Sequence, residues 1–309
     1  MLLNRRGFLW AGACASLASG RLLAATPQQA PLSVTTDEID EDVTIAARFL
    51  RSFTLDWAEV RSVWGRYVVE QPLDKVREAR SILDAHQIRV SVLDTPFFRE
   101  LLPPETPQGR AALDKEWRVL DASFECAKIL GADRLRTFAF SRNPKENPDA
   151  AALARIEGRI FELLREAARR AARHNLLLAV ENLEGSYFST GAQSARLLKN
   201  VRDDALGLTW DPTNAITEGE NAFPDGFALL DAARIFNVHL RDYRRLPSGE
   251  VVWCAVGEGA FDNLSQIRAL IKGGYKGRYN LETHFHHPDG KLAASRASLS
   301  ALMKIVEQA

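Results

Sequence analysis

The chain has little histidine, little cysteine and no excess of either charge. Its 309 residues hold six histidines and three cysteines, with 40 Lys+Arg against 40 Asp+Glu. Balanced charge leaves no long-range pull on nucleic acid or on an anionic membrane. The first 25 residues contain Arg5, Arg6 and Arg21 and no acid, so the remainder is mildly acidic, 37 basic residues against 40 acidic. Beyond the N-terminus no apolar run is long enough to span a bilayer. Cys126 and Cys254 do not make a disulfide framework and read as small buried side chains. No repeat exists beyond an alternation of strand-like and helix-like segments, and no tract is of low complexity.

The N-terminus reads as an export signal. Asn4-Arg5-Arg6-Gly7-Phe8-Leu9 resembles the twin-arginine consensus of bacterial export. An Ala/Gly-rich stretch from Leu9 to Leu17 follows, then Arg21, then small residues at Ala24 and Ala25 where a peptidase could cut. The residues before Cys14, Ala11-Gly12-Ala13, lack the leucine usual at a lipoprotein site. The expected organisation is a signal over 1–25, a short tether over 26–32 and one domain over 33–309. The twin-arginine machinery is then a partner and the periplasm the destination.

Within 33–309, eight strand-like runs alternate with helices: Ser33–Ile39, Trp57–Val63, Arg89–Thr95, Arg134–Phe140, Leu176–Asn182, Leu206–Pro212, Ile235–Tyr243 and Tyr279–Phe285. Several are near-continuous apolar runs, as strands buried on both faces should be. The helices expected between them are Val43–Ser52, Leu73–His86, Gln108–Leu130, Asp149–His174, Thr190–Val201, Asp225–Ala233, Asp262–Lys272 and Lys291–Glu307. Strand–helix alternation repeated eight times predicts an α/β fold, a single (β/α)8 barrel. The longest irregular stretches are Pro96–Pro107, Phe140–Pro148, Glu184–Ser189 and Arg244–Ala260. All follow strands, on the side where a barrel builds its pocket.

Glu181, Asp211, His239 and Glu282 stand at the ends of four of these strands, in the contexts LLLAVEN, LGLTWDP, IFNVHLRD and YNLETHF. They are separated by 30, 28 and 43 residues, about one strand-plus-helix unit with one longer connection. Three carboxylates and an imidazole converging on one mouth repel each other unless a cation joins them. The pattern therefore predicts a site for one divalent cation. Its donors suit Mn²⁺, Mg²⁺, Co²⁺ or Zn²⁺, and Mn²⁺ is favoured because a protein exported folded can take its metal in the cytoplasm.

Taken in order, LAVENLEGSYFSTG, LGLTWDPTNA, NVHLRDY, GEGAFDN and IKGGYKGRYNLETHF resemble the sugar phosphate isomerase/epimerase family, the xylose isomerase-like TIM barrels. VTTDEI, WAEVRSVWG and Gly131–Phe140 agree more loosely. The resemblance implies that Glu181, Asp211, His239 and Glu282 hold the cation. It also implies that Glu181 and Glu282 act as acid and base on opposite faces of a sugar. The chain departs from the family at Asn214 and Leu183, where many members have His, and at Arg241, where Lys is common. Family barrels often form homo-oligomers, and no feature of the sequence forces an interface. A related class, the DNA-repair endonuclease barrels, needs more histidine for several zinc ions and a basic groove, which this chain lacks.

The expected reaction is isomerisation or epimerisation of a non-phosphorylated sugar. A carbonyl polarised by the cation acidifies the neighbouring carbon, and an enediolate forms on proton loss. A leaving group β to that carbon would turn the same chemistry into a lyase or dehydratase. A sugar-binding barrel without catalysis is the third reading. Arg136, Asn214, Asp242, Glu258 and His284 are further candidates for contact with substrate. Trp210, Trp253, Tyr187 and Phe285 read as core or as apolar walls for a sugar.

Overall fold

The computed structural model describes residues 32–309. The export-signal reading and all but the last residue of the tether fall outside these residues. The barrel strands are β1 (Leu32–Thr35), β2 (Trp57–Val60), β3 (Arg89–Asp94), β4 (Arg134–Thr137), β5 (Leu177–Glu181), β6 (Leu206–Trp210), β7 (Ile235–Leu240) and β8 (Tyr279–Leu281). They pair in sequence order, every pair parallel, and β8 returns to β1, so the sheet closes. The (β/α)8 expectation holds.

The helices are α1 (Val43–Ser52), α2 (Leu73–Ala85), α3 (Pro107–Leu130), α4 (Ala150–Arg173), α5 (Gly191–Asn200), α6 (Pro212–Thr217), α7 (Asn263–Lys272) and α8 (Lys291–Glu307). Their ends follow local chemistry. Asp149 caps α4 by accepting from Ala152 N–H, and Asn175 beyond its C-terminus takes φ 57°. Thr190 and Gln193 form a reciprocal capping box on α5. Asp211 caps α6 and Pro212 occupies its first turn, so β6 passes into a helix with no intervening loop. The outer face of α4 is solvated, and its Arg169 and Arg170 pair with Glu166 on the same helix.

Most strands stop earlier than their apolar runs suggest. The chain after β1 turns at once into a helical turn, Thr36–Ile39. After β2 and β7 it leaves the barrel into two-stranded hairpins, Ser62–Val63 with Arg66–Tyr67 and Asp242–Arg245 with Val251–Cys254. The Arg244–Ala260 stretch is thus partly a hairpin and not an irregular loop. Extended residues above the rim look like strand in sequence, but no neighbouring strand continues beside them.

The helix expected over Asp225–Ala233 does not form. Its place is taken by α6, by an irregular turn around Ala222–Gly226 and by a short 3-10 turn, Ala232–Arg234. Pro224 cannot donate in a helix interior. Gly226 also packs on the start of α5 so closely that a Cβ on Gly191 would lie 2.4 Å from Gly226 O.

The barrel interior is polar along one side. Ser33 Oγ donates to Asn280 Oδ1, and Asn280 Nδ2 donates to Thr35 Oγ1. Asn237 Nδ2 donates to Glu59 Oε2. At the N-terminal end, the Arg278 and Arg89 guanidiniums lie 3.2 and 3.9 Å from the Trp57 ring centroid. Apolar packing is concentrated between the sheet and the helices, in Leu50, Leu83, Leu120, Leu130, Leu164, Leu197 and Leu302.

The close approach at Gly191 predicts that Gly191→Ala costs about 1–3 kcal/mol, the usual cost of overpacking against backbone. Gly158→Ala, where nothing lies within 4 Å, should instead gain up to about 1 kcal/mol from helix propensity. Urea melts of the two variants give the comparison. Equal effects would mean that the α5 contact does not constrain the fold.

Candidate metal centre

The C-terminal ends of the strands surround a cavity of about 420 Å³. Glu181 is the last residue of β5, His239 lies near the end of β7, and Asp211 and Glu282 directly follow β6 and β8. All four are buried, and each offers a donor atom within 4.8 Å of the others. The four residues expected to converge do so.

His239 sets the geometry. Its Nε2 lies 2.7 Å from Glu59 Oε1, and since an ionised carboxylate only accepts, Nε2 carries the proton. That leaves Nδ1 as the atom facing the mouth. Nδ1 is buried without a hydrogen-bond partner, 3.0 Å from Glu282 Oε2 and 3.6 Å from Glu181 Oε1. Acceptors gathered this closely need a cation between them. This orphaned nitrogen and the three-oxygen, one-nitrogen donor set fit a divalent ion. Glu59 behind the imidazole supplies the carboxylate that usually orients a metal-binding histidine. Glu59 is aimed inward where the β2–β3 register shifts between Ala58 and Glu59.

The charge balance differs from the expectation that only a metal could join these acids. Three arginines also reach them. Arg61 donates to Glu282 Oε1 and also holds Asp37 and Glu38. Arg136 Nη2 donates to Asp94 Oδ2 at 2.7 Å, and its Nε stands 3.3 Å from Glu181 Oε2. Arg241 Nη2 donates to Asp211 Oδ2 at 2.5 Å and to Asn214 Oδ1 at 2.7 Å. Glu181 and Glu282 thus each turn one oxygen to an arginine and the other to His239 Nδ1. Asp211 is held more fully, because its Oδ1 also accepts from the first turn of α6.

The pKa directions follow this arrangement. Burial alone would raise the Glu181 carboxyl, but Arg136 and His239 outweigh it and hold it below the usual carboxylate range. Glu282 goes further down, with His239 and His284 overcoming the same burial. Burial opposes a charged His239, yet Glu282, Glu59 and Glu181 together push its pKa well up. With no metal present, a proton is the cation that Nδ1 would take.

The other expected contacts divide into two groups. Arg136, Asn214 and His284 line the cavity. Asn214 also donates from Nδ2 to Glu181 Oε1 at 3.1 Å, so it links Glu181 to Arg241. Asp242 and Glu258 do not line the cavity. The buried Asp242 carboxylate accepts from the N–H groups of Tyr243, Gly257, Gly259 and Phe261, which ties the hairpin to the loop that follows it. Glu258 is exposed and pairs with Arg244. Among the aromatic candidates, Trp253 lines the cavity, 4.4 Å from the Arg241 guanidinium, whereas Trp210 is fully buried.

Sequence reasoning missed Glu59, Arg61 and Asp94. Part of their signal was present, since Arg61 directly follows the run WAEV and Asp94 ends RVSVLD, whereas Glu59 lies inside its run. Both runs lay in the half of the chain that resembles the family more loosely.

A family model described as xylose isomerase-like TIM barrel matches residues 49–304. No curated protein matches the chain. Among solved structures, the IOLI protein with a bound zinc atom aligns with a TM-score of 0.72 at 18% identity, covering 90% of this chain and 98% of that one. The 3-keto-D-glucoside 4-epimerase YcjR from E. coli aligns with a TM-score of 0.64 at 17% identity, covering 89% and 98%. The probable 3-DHS dehydratase AsbF from Bacillus anthracis aligns with a TM-score of 0.67 at 15% identity, again covering 89% and 98%. At such identities the likeness is one of fold.

Glu59→Gln should keep the fold and lower divalent-metal affinity by about tenfold to a hundredfold, the usual cost of losing a histidine's carboxylate partner. Calorimetric titration of the metal-free protein with Mn²⁺ or Zn²⁺ measures it. Unchanged affinity would show that Glu59 does not orient His239 for a metal.

Proposed function

The chain belongs to the xylose isomerase-like TIM barrel family, and from that premise we propose that it is a divalent-metal-dependent sugar isomerase or epimerase. One observation carries the reading. Glu181 and Glu282 both line the cavity, and each directs one oxygen toward the unpartnered nitrogen of His239. Glu181, Asp211, His239 and Glu282 would hold the ion. When bound, the ion supplies Lewis acidity, polarising a substrate carbonyl and stabilising the charge left when the adjacent proton departs.

The protein's own groups supply the proton transfers. Arg136 and His239 at Glu181, and His239 and His284 at Glu282, outweigh burial and favour the ionised form that a general base requires. One carboxylate removes a proton from the carbon next to the carbonyl. The other, reached from a different strand, returns it to the opposite face or to the adjacent carbon. Trp253, Phe138 and Tyr67 give the cavity aromatic walls for the apolar face of a sugar. Arg241 and Asn214 hold Asp211 and Glu181 in place.

Lyase chemistry is the second reading. His284 Nε2 faces the cavity 3.3 Å from Glu282 Oε1, and Glu282 favours its charged form. A protonated imidazole there is placed to protonate a departing hydroxyl. The dehydratase AsbF shares the fold.

We further propose that the ion is manganese and the substrate non-phosphorylated. The twin-arginine motif at Arg5-Arg6 supports both, since that route exports folded proteins and extracellular sugars usually lack phosphate. Residues 1–25 would then direct the enzyme to the periplasm.

Metal analysis should find about one divalent ion per chain after reconstitution, lost in the Glu181→Gln/Glu282→Gln double variant. A chain that takes up no stoichiometric metal would end the proposal. With free ketoses and 3-keto-glycosides in heavy water, the enzyme should wash deuterium into a carbon next to the carbonyl. Each single variant should slow exchange by about 10²–10⁴-fold, the range for loss of a general acid or base. Loss of water without exchanged substrate would favour the lyase.

A further inference from the structure

Four arginines line the cavity: Arg61, Arg99, Arg136 and Arg241. Three of them are paired with carboxylates that build the metal centre. Arg99 differs. Among the described residues no carboxylate lies within 4.0 Å of its guanidinium, and its one polar side-chain neighbour is Tyr67 Oη at 3.5 Å. Glu184 also lines the cavity but stands beyond that distance. An arginine left free beside so many acids is unusual, because each neighbouring carboxylate offers it a partner.

Arg99 is exposed, but the segment that carries it is held rigidly. Phe97 and Phe98 before it are fully buried. Phe98 stacks on Phe97 with centroids 3.8 Å apart, on Phe140 at 4.1 Å, and meets Trp117 edge-on. Phe98 N–H donates to Glu116 Oε2 at 2.7 Å, and Phe140 N–H donates to Phe98 O. Ser141 Oγ donates to Arg99 O at 2.6 Å. Phe98 and Phe140 both take left-handed backbone, φ 60° and 62°. Bulky residues adopt that conformation only where their surroundings impose it, and such strain gathers at functional sites. An aromatic pedestal therefore presents one uncommitted guanidinium to the mouth. Tyr67 comes from the hairpin after β2, the strand next to β3.

We infer that Arg99 and Tyr67 form a subsite for a carboxylate on the substrate, away from the carbon that reacts. The inference rests on the proposed sugar chemistry and narrows it to acidic sugars. A guanidinium offers parallel N–H donors that match the two oxygens of such a group, and the phenol adds a third donor. Because the pedestal fixes the segment in advance, less ordering accompanies binding. The anion anchors one end of the sugar, while Glu181 and Glu282 work at the other.

The test compares binding of D-glucuronate, D-glucose 6-phosphate and D-glucose to manganese-reconstituted protein by calorimetry. The wild type should bind D-glucuronate at least tenfold more tightly than glucose. A wild type that prefers only D-glucose 6-phosphate overturns the carboxylate subsite. Arg99→Met, which keeps the apolar stem, should abolish that preference and leave glucose binding unchanged. Arg99→Lys should restore part of it, and Tyr67→Phe should reduce it less. Melting curves check that the variants fold, and metal content is measured on the same samples. A wild type with no preference, or a preference that survives Arg99→Met, overturns the inference. If metal binds but the preference is absent, the subsite fails and the isomerase reading stands. If the Arg99-dependent preference appears without stoichiometric metal, the subsite stands and the isomerase reading fails.

Discussion

Crowded negative charge around one imidazole is the constraint to which the rest of the mouth answers. Glu181, Asp211 and Glu282 lie with donor atoms within 4.8 Å of one another. At that distance two like charges repel by about 3.5 kcal/mol at an effective dielectric of about 20. Three such pairs reach about 10 kcal/mol, comparable to a domain's whole stability. Glu59 and Asp94 are fully buried beside them, and burial, with Glu59 close by, holds the Asp94 carboxyl well above the usual carboxylate range despite Arg136. Such a cluster persists only when cations are built into it. Arg61, Arg136 and Arg241 supply part of the balance, and each approaches from a different strand end or the residues just beyond. What they leave uncompensated points at His239 Nδ1.

The barrel explains how these groups meet without long excursions of the chain. Parallel strands place all eight C-terminal ends on one rim, so residues as far apart as Asp37 and Glu282, both held by Arg61, belong to one network. Local devices then aim single side chains. The register shift at Ala58/Glu59 turns Glu59 behind the imidazole. The Asp-Pro junction at the end of β6 fixes Asp211 by the first turn of α6. Asp242, just past β7, uses four backbone N–H groups to fasten the hairpin that brings Trp253 over the cavity. A buried carboxylate of this kind looks the same in sequence as one that binds substrate.

Much of the site was legible because strand periodicity and strand-end position are local properties. Glu181, Asp211, His239 and Glu282 could be identified from apolar runs that end in a polar residue. The strand count and all but one of the helices were legible for the same reason. The rest depended on partners distant in sequence. Whether Arg136 reads substrate or balances Asp94 and Glu181 is decided by residues 42 and 45 positions away. Strand lengths were overestimated because extended backbone above the rim shows the same residue pattern as a strand in the sheet. The helix expected over Asp225–Ala233 failed because a close backbone approach to Gly191 shaped that segment.

The arginines of the mouth show how one residue type serves two purposes through burial. Arg136 and Arg241 are 2% and 4% exposed and bound to carboxylates. Removing either would strand a buried charge, a loss far larger than the worth of the pair itself. They are therefore poor places to vary what the cavity accepts, since any change there also disturbs the buried carboxylates around His239. Arg99 and Trp253 sit on segments outside the barrel, and neither is paired with a buried acid. Substitution at those positions changes what the cavity meets while the charge balance around His239 stays intact. A barrel built this way can keep the cluster around His239 and alter its cavity through the loops after β2, β3 and β7.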